Sequence, residues 1–374
     1  LVVRALSEVS GIEKNVLFHR LMGNWDPVES NFHDLILLQN SADDLSKPYP
    51  FFLAHPVDSS PESLGDPAEW QAEWKWDGIR SQFIKRKTEI FIWSRGEDLI
   101  TEKFPELHIL QDNLPDGIVI DGEILPFKEG KPLSFSLLQT RIGRKNLSKK
   151  ILHDAPVVIV AYDLLEWEGE DIRAKPLEER RKLLQDIIAQ ANVHQLVLSP
   201  IVIFETWDQL HQKRDQSREM LAEGLMLKRK SSSYNVGRKR GEWWKWKIAP
   251  LTIDGVLIYA QKGSGRRADI YTDYTFAVWH ENQLIPFAKA YSGLTDQEMN
   301  KIDAFIKRNT QERFGPVRTV IPKLVFEIAF EGIQDSSRHK SGVAVRFPRI
   351  LRWRHDKKVE DANTLDDLKA FLKL

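Results

Sequence analysis

Cysteine is absent from the 374 residues. Disulfides and thiolate metal sites are thereby excluded, which suits a cytoplasmic protein of bacterial type. No apolar run approaches the roughly 18 residues a membrane helix needs, so no membrane partner is expected. The opening LVVRALSEVS lacks the basic start and apolar stretch of a secretory signal. Net charge is missing as well: 54 Lys and Arg balance 54 Asp and Glu, which argues against a uniformly basic coat for nucleic acid. Internal repeats and low-complexity tracts are not found. The chain opens on Leu1 rather than methionine, and a missing front segment is expected.

What is present is enough for real cores. The hydrophobic fraction is 42%, and the length predicts two domains. Charge is clustered. Lys228–Lys247 holds eight Lys or Arg and one acid, Asp335–Lys358 eight and two, and RIGRKNLSKK (141–150) five and none. Three such clusters, two rich in Trp or Phe, fit a polyphosphate or nucleic-acid surface better than solvated loops.

Residues 1 to about 40 read as helical: ALSEVSGIEKNVLFHRLMG has apolar positions at helical spacing before Gly23, and NFHDLILL gives a second short helix. The stretch 46–67 is rich in Pro, Ser and Gly and reads as an irregular linker. Strands are predicted at IFIWS, GIVIDGEIL, PVVIVAYDLL and EGLMLKR, with a helix at PLEERRKLLQDIIAQA. After Pro250 short β-rich segments, LTIDGVLIYAQ, DYTFAVWH, QLIPFAKAYSG and LVFEIAFEGIQ, surround a helical insert at 295–315. That pattern predicts a small barrel.

The segment AEWKWDGIR (72–80) concentrates chemistry. Strand alternation puts Glu73, Lys75 and Asp77 on one face, with Trp74 and Trp76 as a wall behind. A free lysine amine, with a pKa of roughly 10.4, is a poor nucleophile at neutral pH. Desolvation or nearby cations activate it. On this segment alone a surface ion pair is the better explanation of the pattern.

The other segments shift that balance. EWKWDGIR has the K-x-D-G-x-R form of motif I of covalent nucleotidyltransferases. WSRGE (93–97) resembles motif Ia, VIDGEIL (119–125) motif III, and VAYDLLEWEGED with PLEERR (160–181) motif IIIa. AEGLMLKR (222–229) resembles motif IV, WWKWK (243–247) motif V, and VRFPRILRWRHDKK (345–358) motif VI of ATP-dependent DNA ligases. All seven stand in family order. The chain as a whole resembles the ATP-dependent DNA ligases, and especially a bacterial cisplatin-damage-response group.

That resemblance implies an α+β protein. An ATP-grasp-like nucleotidyltransferase (adenylation) domain at 46–248 is followed by an OB-fold barrel at 249–374. Residues 1–45 become the helical tail of an N-terminal DNA-binding domain plus linker. Lys75 matches the nucleophile that attacks the α-phosphate of ATP and forms lysyl-AMP. Arg80 and Arg95 match arginines on ribose and phosphate oxygens. Glu73 matches the residue beside the adenine edge, Tyr162 replaces the usual stacking Phe, and Met226 packs on the opposite base face. Trp74 lines the same nucleotide site. Glu123 and Glu223 match carboxylates that bind ribose or Mg²⁺ (or Mn²⁺). Lys245 and Lys247 match the pair that neutralises the α-phosphate, with Arg240 near. Arg346, Arg349, Arg352, Asp356 and Lys357 match the motif VI set for pyrophosphate and DNA. Asp121, before Gly122, reads as a turn former. The implied activity is sealing of 5′-phosphate/3′-hydroxyl nicks in double-stranded DNA by a monomer. An RNA ligase or capping-type enzyme, and a non-catalytic barrel that binds nucleic acid, are the alternatives.

Overall fold

A computed structural model describes residues 2–12, 17, 21, 28–37, 45–58, 60–144, 146–263, 265 and 268–373. The chain divides into two compact units, Leu1–Ile248 and Ala249–Leu374.

The front of the first unit has helices Val2–Ser10 and Phe32–Ile36. The first ends at Gly11, whose φ of 71° lies in the left-handed region that glycine tolerates. The helix end expected at Gly23 lies outside the described residues. Two sheets follow, built from β1 (Trp70–Trp76), β2 (Ile79–Arg86), β3 (Glu89–Ser94), β4 (Ile118–Lys128), β5 (Val157–Trp167), β6 (Leu196–Leu198), β7 (Ala222–Arg229) and β8 (Trp243–Lys247). The first sheet runs β6-β5-β4-β2-β3 and the second runs Ile201–Val202, β1, β7, β8, His55–Pro56. The alternation of side chains along each strand makes these sheets two-faced. Phe83, Ile120 and Ile159 pack on Leu184 and Ile187 of the helix Leu177–Ala191. Trp70, Ala72, Leu225, Leu227 and Trp246 pack on Trp207 and Leu210 of the helix Trp207–Asp215. The remaining faces meet each other through two apolar clusters. One gathers Ile84, Val119 and Leu165 with Phe52, Tyr234 and Trp243; the other gathers Leu125, Val158 and Val160 with Trp76 and Ala222. Polar side chains gather on the same facing surfaces.

Two sequence expectations change here. The stretch 46–67 is not irregular: Phe52–Leu53 pairs with Gly237–Arg238, and His55–Pro56 pairs with Trp244–Lys245. Those partners are some 180 residues away, so no local pattern reveals them. Arg141, counted in a basic surface cluster, is fully buried. Its guanidinium holds Glu106 and donates to the carbonyls of Lys103 and Ala155.

The second unit is a coiled sheet ordered Gln283–Ala290 (β11), Tyr271–His280 (β10), Leu251–Lys262 (β9), Val317–Val320 (β13), Thr310–Phe314 (β12). Its long strand β9 pairs with Val325–Phe330 (β14) through its first half and with β13 through its second. Gly332–Asp335 (β15) and Val343–Arg346 (β16) form a hairpin, and Arg349–Trp353 (β17) pairs with β14. Ile253, Phe276, Phe326, Ile328 and Ile350 fill the interior. The helical insert is shorter than the sequence suggests, Asp296–Asn309 with a Thr295 capping box. Residues 310–314 are strand instead, turned back at Gly315, φ 53°. Among the described residues no helix is long and apolar enough to cross a membrane.

Candidate active site

The site is assembled on the facing surfaces of the two sheets. On β1 alternation puts Glu73 and Lys75 toward the first sheet and Trp74 on the other face. Trp74 packs against the clusters of Trp70 and Trp246 and of Trp76 and Val160. It is part of the wall and does not join the polar group. The strand ends at Trp76, and Asp77 just beyond it lies close enough for its charge to act on Glu123. Gly78 follows because a Cβ there would lie 2.4 Å from the Ile124 carbonyl oxygen and 2.8 Å from Glu123.

Glu223 reaches the cleft through a backbone irregularity. Ala222 pairs with Trp76 and Leu225 with Trp74, so β7 spends one residue more than β1 between the two pairs. This bulge, at Gly224 with φ 139°, breaks the alternation and re-aims Glu223. Its carboxylate binds the Lys75 ammonium and lies 3.2 Å from Lys247 Nζ. Burial works to raise the Glu223 pKa, but Lys75 and then Lys247 outweigh it and hold it below the ordinary value.

Lys245, one turn of the pleat from Lys247, pairs in register with Met226, which in turn faces Glu73. Burial pulls its pKa down, and Arg238, Lys75, Lys247 and Arg95 add to the same shift. Among the described residues it has no carboxylate partner. Lys75 and Lys247 share Glu223, and with Lys245, Arg238 and Arg95 close by, this end of the cleft is a receptor for an anion.

On the opposite sheet Arg80 and Glu123 are register partners on β2 and β4. Burial pushes the Glu123 carboxyl up to about 8, against the pull of Lys75 and Arg80. Arg80 donates to Asp121 through Nε (3.2 Å) and Nη2 (2.7 Å) and to the Phe52 carbonyl through Nη1 (2.7 Å). Asp121 is therefore not a turn former; it sits fully buried in mid-strand as the arginine's counter-ion.

At the other end Glu73 is 1% exposed. Its Oε1 accepts from Lys228 Nζ and Gln71 Nε2, both at 2.8 Å, and Arg181 is 3.8 Å from Oε2. Burial tends to raise its pKa, yet Lys228 and Arg181 hold it low. Lys228 Nζ also lies over the rings of Tyr162 (4.3 Å) and Trp243 (4.7 Å). Met226 is half-buried against the cluster of Phe52 and Trp243.

Not every expected residue joins. Arg240 is 72% exposed, 3.9 Å from Asp58 and over the Trp244 ring. Trp244 faces away from the cleft, and Arg240 follows it. Lys228, Arg181, Arg238 and Tyr234 were not singled out from the sequence. Period-two alternation from Met226 does reach Lys228; the loop position of Tyr234 and the two-residue strand that holds Arg238 carry no periodic signal.

The motif VI residues lie in the second unit. Arg349 pairs with Glu331 (2.8 Å), Arg352 with Glu327 (2.6 Å) and Lys357 with Asp254 (2.6 Å). Arg346 lies over the Phe347 ring. Arg354, passed over in the sequence, joins Asp254 to Asp356 with three bonds of 2.8–3.0 Å and a fourth of 3.0 Å. That clamp pushes the Asp356 pKa down and the Arg354 pKa up, through their mutual hydrogen bonds first.

A sequence model for the ATP dependent DNA ligase domain matches residues 51–247, more than half of the chain. The chain belongs to the ATP-dependent DNA ligase family. A second model, for the ATP dependent DNA ligase C terminal region, matches 267–357. A probable DNA ligase of Koribacter versatilis is 38% identical over 343 residues, covering 86% of this chain and 60% of that protein. A DNA ligase of Methanoculleus marisnigri is 32% identical, covering 82% and 55%. The chain thus spans about three fifths or less of these relatives. A solved structure from a study of Lig E DNA ligases, 18% identical, superposes with a TM-score of 0.59 over 82% of this chain and 100% of that one. It shares the fold of this ligase-family member, a nucleotidyltransferase unit followed by an OB-fold unit.

Proposed function

We propose that this chain is the catalytic core of an ATP-dependent DNA ligase that seals nicks in duplex DNA. One observation carries the reading: the Lys75 amine shares the Glu223 carboxylate with Lys247, and beside them Lys245 lies within reach of the charges of Arg238, Lys75, Lys247 and Arg95. A phosphate chain relieves that crowding of charge, and it brings phosphorus to the amine. Lys75 Nζ, its ammonium having given up a proton, bonds to the α-phosphorus and releases a further proton to solvent, the bond to the β-phosphate oxygen breaks, and pyrophosphate departs. The lysyl-AMP then passes AMP to a DNA 5′-phosphate, and the 3′-hydroxyl displaces it. Glu223 orients the amine, and Lys245 and Lys247 balance the phosphate charge. Tyr162 and Met226 flank the base, with Glu73 beside its edge; Arg80 and Arg95 hold ribose and phosphate oxygens. The motif VI cations of the second unit would meet pyrophosphate and DNA.

A divalent cation fits the donor set. Among the described residues no group of three or more His, Asp or Glu forms a closed metal site. Mg²⁺ commonly takes one or two carboxylates and completes its shell with substrate phosphate. Glu123 and Glu223 are the carboxylates that would hold it, and a cation there would offset the burial that pushes the Glu123 carboxyl up to about 8. When bound, the ion supplies Lewis-acid stabilisation of phosphate charge.

The test is sealing of a 5′-phosphorylated nick in duplex DNA with ATP and Mg²⁺, with GTP and NAD in parallel. Sealing with ATP alone is expected. Joining of RNA ends in preference to nicked DNA would move the assignment to the RNA ligases, and no nucleotide uptake would leave a binding barrel.

A further inference from the structure

Arginine has five N–H donors, and in the first unit four of those on Arg80 are already engaged. Nε and Nη2 grip Asp121, Nη1 binds the Phe52 carbonyl, and the second hydrogen of Nη2 points to the Tyr234 hydroxyl at 3.3 Å. One donor, on Nη1, is left for a substrate. The Tyr234 hydroxyl itself donates to Asp121 Oδ2 at 2.6 Å, closing a three-membered ring of bonds. Tyr234 is 4% exposed and Asp121 is 0% exposed, so water does not replace a lost partner.

The tyrosine is placed by a second element. Gly237–Arg238 pairs with Phe52–Leu53, the segment whose carbonyl also holds Arg80. The Tyr234 ring meets Phe52 edge-on at 5.9 Å and Trp243 at 5.6 Å. Two loops distant in sequence are thus zipped together over one guanidinium.

We propose that Tyr234 is a positioning residue for nucleotidyl transfer: through Asp121 it fixes the Arg80 fork so that its single spare N–H is aimed at the nucleotide. This rests on the adenylation reading above. The hydroxyl is engaged by Asp121 and Arg80, so its effect passes through the arginine.

The experiment measures single-turnover adenylation of Lys75 by labelled ATP across an ATP series, in the full chain. Tyr234→Phe keeps the ring packing, and its thermal midpoint should stay close to wild type. Its adenylation rate constant should fall about tenfold, because misplacing a contact by a fraction of an ångström costs reactive geometry. In the Arg80→Lys background, which lacks the fork, the same change should cost less than about twofold. Losses that multiply in the double variant would mean that Tyr234 acts independently of Arg80, and overturn the assignment. So would a Tyr234→Phe protein that adenylates at the wild-type rate. A wild-type protein that takes up no AMP would instead remove the ligase reading, and this one with it.

Discussion

The chemistry of single residues turns on one amine and the charges around it. Lys75→Ala should form no covalent AMP adduct; intact-mass measurement after incubation with ATP and Mg²⁺ checks this, and an adduct on the variant would contradict the role. Glu123 gives a pH signature. Its pKa in the folded chain is about 8, above the ordinary 4.5, because burial disfavours the charge. Folding therefore favours the protonated form. The contribution is fully present below about 4.5 and is lost as pH rises through about 8. Glu123→Gln, neutral throughout, should lose less thermal stability than wild type between about pH 5 and 8. Melting curves across that range decide it. An equal slope in both proteins would show that Glu123 is ionised in the fold. The sequence made Lys75, Glu123 and Glu223 visible as residue types at motif spacing. It was silent on the Asp121 carboxylate that occupies Arg80, because a charge pair across β2 and β4 has no local signature.

At the element scale the decisive feature is the β7 bulge. A Cβ on Gly224 would lie 2.3 Å from the Trp246 carbonyl oxygen and 2.6 Å from the Lys247 Cα, at a φ of 139° that side chains avoid. Gly224→Ala should therefore destabilise the first unit by about 2–4 kcal/mol. It should also slow adenylation, since Glu223 loses its aim at Lys75 and Lys247. Thermal unfolding and adenylation rate, measured together, test both halves; a variant as stable as wild type would mean the bulge relaxes freely. Strand positions were readable from alternation, and the helix Leu177–Ala191 from its formers behind Pro176. The bulge was not, because a bulge is one residue of mismatch between two strands and exists only once they pair.

At the scale of the whole chain a formal charge of zero conceals a division of labour. The first unit sets Lys245, Lys247, Arg95 and Arg238 near Lys75, and the second spends several of its own cations on Glu327, Glu331 and Asp254. Binding of nicked duplex should weaken as salt rises, because phosphate contacts release counter-ions. Arg352 is 61% exposed despite its Glu327 partner. Arg352→Ala should lower the slope of log affinity against log salt by about one, with little change in folding stability. Titration of a labelled nick at several salt concentrations measures it, and an unchanged slope would remove Arg352 from the DNA contacts.

The sequence by itself determined the order of the motifs, the place of Lys75 in the K-x-D-G-x-R segment, the residue types around it and the change to short strands after Pro250, because each is a matter of chemistry or period along the chain. Only the tertiary structure decided which charges meet. It buried Arg141 on Glu106, turned Arg240 toward Trp244, gave Arg80 to Asp121 and Tyr234, and wove the 52–56 segment into sheets with partners near residue 240. Those pairings depend on distance in space, and distance in space is fixed when the strands find their register.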